Sequence, residues 1–394
     1  MSPRLVILFT VVLDLVGFGL VIPLMTFYAE SFSATPLEVA LLMSVYSLAQ
    51  FLFAPVWGQV SDRVGRRPVL LLSIALTALM LAAFASATAL WMLFVFRTLH
   101  GAATANIATA QAAMADVTAP EDRAKAMGLI GAAFGFGFTL GPFLGGELSV
   151  YGLTAPIWLA AGLSALNLVL AWRFFPETRR PGTRSERRPI SPVALGRALA
   201  HPALGFCILL LFGQVFAFAM MEATFTLFAE HRHGLTPSSV GRLFGLIGVV
   251  GIVVQGGLIR PLLRRLGERP LVPAGLFILA LSLALLAVAP SGLPLMGAMA
   301  LVAVGQGISS PSLNALISRA ASADEQGAVL GSAQSMSALA RVLGPALGGV
   351  LFTQFGEPAP FYFASALLVV AAFFAFPATA RAVAADPSEA QSRR

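Results

Sequence analysis

Gly58-Gln59-Val60-Ser61-Asp62-Arg63-Val64-Gly65-Arg66-Arg67 sets one carboxylate and three guanidiniums within ten residues. Long apolar runs lie on both sides of it. An ionisable side chain in the middle of a bilayer costs on the order of 2.5–3.5 kcal/mol or more, so a charged hairpin between two membrane-length segments belongs at a lipid–water boundary. The rest of the chain agrees. Its 394 residues are 58% hydrophobic and 11% charged, with mean hydropathy +0.85, against about 25% charged in a soluble domain. A transmembrane helix needs about 20 mostly apolar residues. Twelve such runs are read at 4–29, 38–60, 69–87, 90–114, 123–149, 153–175, 203–229, 237–260, 270–289, 293–318, 326–353 and 358–379. These are continuous runs, not the short alternating segments of a lipid-facing barrel. The expected class is an all-α integral membrane protein.

The net charge of +7 is explained by where the cations fall. Arg4, Arg63, Arg66, Arg67, Arg123 and Lys125 share one side. Arg179, Arg180, Arg184, Arg187, Arg188 and Arg197 between spans six and seven join them, as do Arg264, Arg265, Arg269, Arg319, Arg381, Arg393 and Arg394. The opposite loops carry Glu30, Glu147, Glu230 and Glu357, with Arg232 as the clear cation. This is the positive-inside bias, and it places both termini in the cytoplasm. The basic balance therefore reports topology, and no nucleic-acid partner is expected. Trp57, Trp91, Trp158 and Trp172 fall near span ends, as an interfacial belt requires. Cys207 is alone, so no intramolecular disulfide is possible. The first apolar run is too long for a signal peptide core, contains Asp14, and is read as a retained first helix. His231-Arg232-His233 cannot converge on one ion, so no metal site is expected. No phosphate loop, HExxH or nucleophile elbow is present, which leaves ATP-driven transport and hydrolytic enzymes without visible equipment.

The chain is written twice. Shifted by 203 positions, Gly141-Pro142-Phe143-Leu144-Gly145-Gly146 meets Gly344-Pro345-Ala346-Leu347-Gly348-Gly349. At the same shift Glu121-Asp122 meets Asp324-Glu325 and Gly128 meets Gly331, while Val64-Gly65 and Leu266-Gly267 correspond within one residue. Two six-helix halves follow: residues 1–175 and 202–380, joined by a basic, proline-rich cytoplasmic linker at 176–201, with a cytoplasmic tail at 381–394. Parallel repeats of this kind bracket a mid-membrane substrate site in transporters that rock between two access states.

Four motifs in order resemble those of the major facilitator superfamily. The hairpin reads Gly-x-x-x-Asp-Arg-x-Gly-Arg-Arg. Asp14-Leu-Val-Gly17-Phe-Gly-Leu-Val-Ile-Pro23 resembles the first-helix motif of its drug:proton antiporters. Arg97-Thr-Leu-His100-Gly101 resembles the family's Arg-x-x-Gln-Gly, with His for Gln. Gly131, Gly135, Gly137, Gly141, Pro142, Gly145 and Gly146 resemble the fifth-helix antiporter pattern, although close packing alone also fits small residues at spacing four. The resemblance covers nearly the whole chain and is nearest the twelve-span, tetracycline-efflux-like branch. It implies two pseudo-symmetric six-helix bundles in a bacterial inner membrane, working as a monomer. It implies a small-molecule substrate and protons as partners, and a proton gradient in place of a cofactor. It also implies a conformational gate made by Gly58, Asp62, Arg63, Gly65, Arg66, Arg67, Asp116, Gly141 and Pro142. In that gate Asp62 latches against the second half, and Arg66 and Arg67 pair with Asp116. Gly58 and Gly65 would allow close approach and a tight turn. Alternatively the arginines only signal topology. The third-span acidic residue of tetracycline exporters is replaced here by Met80, and span nine has no carboxylate. Tetracycline itself is therefore not the expected substrate.

Ionisable groups inside the spans are the functional candidates, because each must be paired or hydrated. Asp14 lies about ten residues into span one, roughly 15 Å deep at about 1.5 Å per residue, where it can exchange protons or make a structural hydrogen bond. Arg97 needs a carboxylate or carbonyls, and Asp14 is one possible partner; a buried structural pair is the alternative. His100 is read as a hydrogen-bonding residue rather than the coupling group. In the second half Gln214, Phe218, Met221, Glu222 and Phe225 share one face at helical spacing. A carboxylate among aromatic and thioether side chains suits a cationic, lipophilic guest, unless Glu222 sits hydrated at the outer mouth. Gln306, Ser310, Asn314, Gln334 and Arg341 add polarity, and Arg341 has either Glu222 or Asp14 to neutralise. The expected function is proton-coupled efflux of amphipathic small molecules by alternating access. Uptake of a sugar or other metabolite is the rival, disfavoured by few hydrogen-bonding side chains, and lipid translocation is a third reading.

Overall fold

The computed structural model describes residues 3–119, 122–179, 196, 199–200, 202–320 and 326–384. Most of the expected linker and the end of the tail, including Arg180, Arg184, Arg187, Arg188, Arg197, Arg393 and Arg394, lie outside the described residues. So do Glu121, Asp324 and Glu325.

Among the described residues fourteen α-helices with placed bounds follow one another, and no strand occurs. They are α1 (Pro3–Glu30), α2 (Pro36–Val64), α3 (Arg66–Ala85), α4 (Leu90–Ala103), α5 (Asn106–Asp116), α6 (Arg123–Leu148), α7 (Ala155–Phe174), α8 (Pro202–His233), α9 (Pro237–Val253), α10 (Ile259–Leu266), α11 (Glu268–Val288), α12 (Leu293–Ala320), α13 (Gln326–Phe355) and α14 (Ala359–Ala384). A π-turn at Val254–Leu258 joins α9 to α10, so span eight runs unbroken through Leu266. Among the described residues eleven helices are long and apolar enough to cross a membrane. The expected twelfth span is the pair α4–α5. Span four is not continuous as its hydropathy suggests, but breaks at Thr104-Ala105.

A break at membrane depth must satisfy the backbone groups it frees. Here three side-chain atoms do so. Trp57 Nε1 donates to the Ala102 carbonyl at 2.6 Å. The buried Ser73 hydroxyl donates to the Ala103 carbonyl at 2.7 Å and accepts the Ala105 N–H at 2.7 Å. The Thr104 hydroxyl turns back to the His100 carbonyl at 2.7 Å. Thr and Asn compete for backbone hydrogen bonds in this way, and Thr104 and Asn106 flank the break. Trp57 thus serves the break rather than an interfacial belt, whereas Trp91, Trp158 and Trp172 are exposed.

By packing the chain divides into two units, Met1–Arg187 with Ala229–Gly248, and Arg188–Phe228 with Val249–Arg394. In the first, α1 packs against α6 and α7. Ile7, Val11 and Leu15 meet Leu70, Ile74, Ala110, Met114, Ile130, Ala133 and Phe175 in a common core. Lipid tails are as apolar as leucine, so contact between helices relies on close fit rather than on escape from water. Glycines supply that fit. A Cβ on Gly141 would stand 2.6 Å from the Gly19 Cα, so α1 and α6 cross backbone to backbone. Span eight enters this unit by the same device, since a Cβ on Gly146 would stand 2.9 Å from the Gly241 Cα. In the second unit α11 packs against α12 and α14. Phe373, Phe374 and Phe376 of α14 point outward, as a lipid-facing surface allows.

Candidate functional site

The charged centre of the first unit is built on the break in span four. Asp14 stands near the middle of α1, partly buried. Its Oδ1 accepts a hydrogen bond of 2.5 Å from Asn106 Nδ2. Asn106 is the first residue of α5, and its amide also lies 3.5 Å from the Thr77 hydroxyl of α3. Arg97, on α4, is buried with its guanidinium 4.3 Å from the Tyr46 ring centroid and 5.7 Å from that of Phe18. Each such cation–aromatic contact contributes on the order of 0.5–2 kcal/mol. His100 meets the edge of the Tyr46 ring at 5.2 Å, and Phe138 of α6 meets Phe18 at 6.1 Å. The sequence offered Asp14 as one possible partner for Arg97. Instead the structure gives Asp14 to Asn106 and sets Arg97 over the Tyr46 ring, with Phe18 beside it. Asn106, Tyr46, Phe18, Ser73 and Thr77 were missed by sequence reasoning. The available signal was the run Thr104-Ala105-Asn106, polar residues inside an otherwise apolar span.

At the hairpin, Gly65 has φ +106°, and a side chain there would strike the Glu177 carboxylate. The two oxygens of Glu177 accept the backbone N–H groups of Arg66 at 2.9 Å and Arg67 at 3.1 Å. A carboxylate thereby caps α3, where the helix dipole favours it. Arg66 reaches Asp62 at 2.8 Å, Asp116 at 3.2 Å and the Ser61 hydroxyl at 3.0 Å. Arg179 adds a second cation on Asp62 at 2.8 Å. Arg67 does not pair with Asp116 as the resemblance implies. One residue on along a helix it points about 100° away, and its guanidinium donates to the Trp172 carbonyl at 2.6 Å. Gly58 also differs from expectation, with nothing within 4 Å of a built Cβ. Arg63 is exposed. Glu177, Thr178 and Arg179, missed in the sequence, show the start of the linker folding back on the hairpin. A cavity of about 190 Å³ extends from Asp62 and Arg66 past Trp57 to Thr104 and Thr109. It has room for several waters between the hairpin charges and the break.

In the second unit Gln214 of α8 is fully buried, and its Nε2 donates to Gln306 Oε1 of α12 at 2.9 Å. Met221 and Phe225, expected to line a substrate site, are fully buried instead. The partly exposed stripe of α8 runs through Phe212, Val215, Phe218 and Glu222, about one residue round the helix from the expected face. Asn314 is exposed but gives its amide to the Ser310 carbonyl of its own helix at 2.9 Å. Gln334 and Arg341 are exposed on α13. Among the described residues no cluster of His, Cys, Asp or Glu could hold a metal ion.

A buried ionisable constellation on helix one and a broken helix four, within a twice-written all-helical chain, is transporter architecture. The sequence profile of the Major Facilitator Superfamily matches residues 7–267 and 257–394. The chain belongs to that superfamily. It is a multi-pass membrane transporter of small molecules and not an enzyme. Among its relatives, "Tetracycline resistance protein, class C" of Escherichia coli is 36% identical over 354 residues, covering 86% of this chain and 87% of that protein. "Multidrug resistance protein 2" of Bacillus subtilis (strain 168) is 27% identical over 372 residues, covering 93% and 92%. The crystal structure of the human organic anion transporter MFSD10 (TETRAN) superposes with a TM-score of 0.72 at 27% identity, covering 94% of this chain and 98% of that one.

Proposed function

We propose that this superfamily member is a proton-driven exporter of amphipathic small molecules, working as a monomer in the bacterial inner membrane with both termini in the cytoplasm. The observation that carries this reading is the Asp14–Asn106 hydrogen bond at the break of span four. It holds a proton-exchanging carboxylate near mid-membrane, with Arg97 stacked on Phe18 one turn further along α1. Protonation of Asp14 removes a negative charge from this aromatic and cationic setting. Substrate and proton thereby favour different access states of the same two-state equilibrium, which is all that coupling requires. The energy comes from the proton gradient, with no bound cofactor. The curated relatives carry tetracycline and multidrug resistance in their names, which supports amphipathic drugs as the substrate class.

The test uses everted membrane vesicles containing the full chain, an imposed inside-acid pH gradient, and a panel of tetracycline and lipophilic cationic and anionic dyes. Wild-type vesicles are expected to accumulate at least one probe while the gradient lasts. Asp14→Asn should reduce gradient-driven accumulation by tenfold or more while probe binding stays within a few-fold. Accumulation that survives collapse of the gradient, or full gradient-driven transport by Asp14→Asn, would contradict the proposal.

A further inference from the structure

We propose that Asn106 is a positioning residue that holds Asp14 by hydrogen bond in both of its protonation states; this rests on the proton-exchange reading of Asp14 given above. The amide has the chemistry for both. Its NH2 group can donate to the ionised carboxylate, and the structure sets Asn106 Nδ2 2.5 Å from Asp14 Oδ1. After a half-turn of the amide, its carbonyl oxygen accepts from the protonated carboxyl. In that second arrangement Asp14 Oδ1 keeps the proton and donates through it to Asn106 Oδ1, so the bond between the two residues is kept when the proton binds. The Thr77 hydroxyl, which faces the amide nitrogen at 3.5 Å in the structure, can donate to the amide oxygen instead.

Three further observations support this. Asn106 is 3% exposed, and its Oδ1 is buried with no hydrogen-bond partner. An amide kept only to brace two helices leaves that acceptor unused in every state; one that alternates uses it when Asp14 carries the proton. The site is also dedicated. Ser73 and Trp57 pair the Ala102 and Ala103 carbonyls and the Ala105 N–H at the break, and the Asn106 side chain is given to Asp14 and Thr77 instead. Finally, the second unit contains a contact at the same separation, with the direction reversed: Gln214 Nε2 donates to Gln306 Oε1. Asp14 and Asn106 are 92 residues apart, and so are Gln214 and Gln306. A shift of 200 positions carries one pair onto the other, three residues from the shift of the repeat, which is less than one helical turn. The helix-one to helix-four amide contact is a repeated feature, and the first copy alone puts a carboxylate into it.

Among groups around Asp14, Arg97 and His100 lie just before the break. The other charged residues of the packed helices occupy end turns: Glu38, Asp62 and Arg63 of α2, Asp116 of α5, Arg123, Lys125 and Glu147 of α6, and Arg173 of α7. A pH response lost in Asp14→Asn is therefore attributable to Asp14.

The experiment is infrared difference spectroscopy of the purified full chain across a pH titration, which needs no substrate. Wild type should show a carboxylic-acid C=O band that Asp14→Asn abolishes. In Asn106→Ala that band should change frequency, and its titration midpoint should move by about one pH unit, a tenfold change in proton affinity. Asn106→Ser keeps a group that donates and accepts, and should stay nearer to wild type; it also serves if the alanine variant does not fold. A wild-type band and midpoint in a folded Asn106 variant would overturn the positioning role and leave proton exchange intact. Absence of any Asp14-dependent band would overturn the coupling reading, and this inference with it.

Discussion

Ser73 shows how one hydroxyl fixes the site's geometry. It sits at zero exposure, gives its proton to the Ala103 carbonyl and takes the Ala105 N–H, so it occupies the gap where the helix ladder is missing. Ser73→Ala leaves a buried donor and a buried acceptor with no partner, each costing about 1–3 kcal/mol. Bonds within membrane proteins average toward the lower end, about 0.6–2 kcal/mol. A net loss of about 1–3 kcal/mol is expected, read as a lower melting temperature of the detergent-solubilised protein. Gradient-driven accumulation should fall as well, because Asn106 begins the helix that this hydroxyl holds in place. Ser73→Thr keeps the hydroxyl and should retain more of both. A wild-type melting curve for Ser73→Ala would mean the break does not depend on this bond.

Helix packing separates glycines that fit from glycines that merely occur. Gly141 lies against Gly19 of α1, while Gly131, in the same helix and the same motif, has open space around it. Gly141→Val should therefore abolish the monodisperse folded protein on size-exclusion chromatography. Gly131→Ala should be neutral or stabilising by up to about 1 kcal/mol through helix propensity. Equal behaviour of the two would count against the α1–α6 crossing. The hairpin carries a second prediction at this scale. Glu177→Ala removes the acceptor for two N–H groups at the start of α3. Hydrogen bonds to a charged group contribute about 1.5–3 kcal/mol each, reduced here because Glu177 is exposed. Faster proteolysis at the hairpin than in wild type is the expected result, and unchanged cleavage would reject the clamp. These contrasts also mark what the sequence could disclose. Hydropathy and the repeated Gly-Pro-x-x-Gly-Gly revealed the helices and the two halves, because lipid leaves few other solutions for such runs. Arg66 and Asp62 were legible through their motif. The break in span four was not, since Ala102-Ala103-Thr104-Ala105 contains neither Gly nor Pro and the break is made by Trp57 and Ser73 from other helices. The buried side of α8 was misjudged by about one residue, because an evenly apolar helix gives its angular orientation no sequence signature.

At the level of the whole chain, duplication followed by divergence explains why a symmetric scaffold carries an asymmetric site. Both halves keep a side-chain contact between their first and fourth spans at the same separation, and in both it is partly buried. In the first half the pair is carboxylate and amide; in the second it is amide and amide. Two carboxylates at this depth would each carry the cost of an intramembrane charge, whereas an amide in the second copy keeps the interhelix bond without it. Gln214→Glu restores a titratable group to that copy at nearly constant volume; the Gln306 amide, whose oxygen accepts from Gln214 in the structure, can turn by a half-rotation to donate to it as Asn106 donates to Asp14. The variant should fold, since the two side chains are isosteric and the partner can donate to a carboxylate. Its transport should then exchange more protons per substrate than wild type, approaching one additional proton. In proteoliposomes this appears as a steeper dependence of the steady-state substrate gradient on the imposed pH gradient. If Gln214→Glu transports with the wild-type slope, the second contact is a helix brace without access to protons, and its likeness to the Asp14 pair ends at geometry.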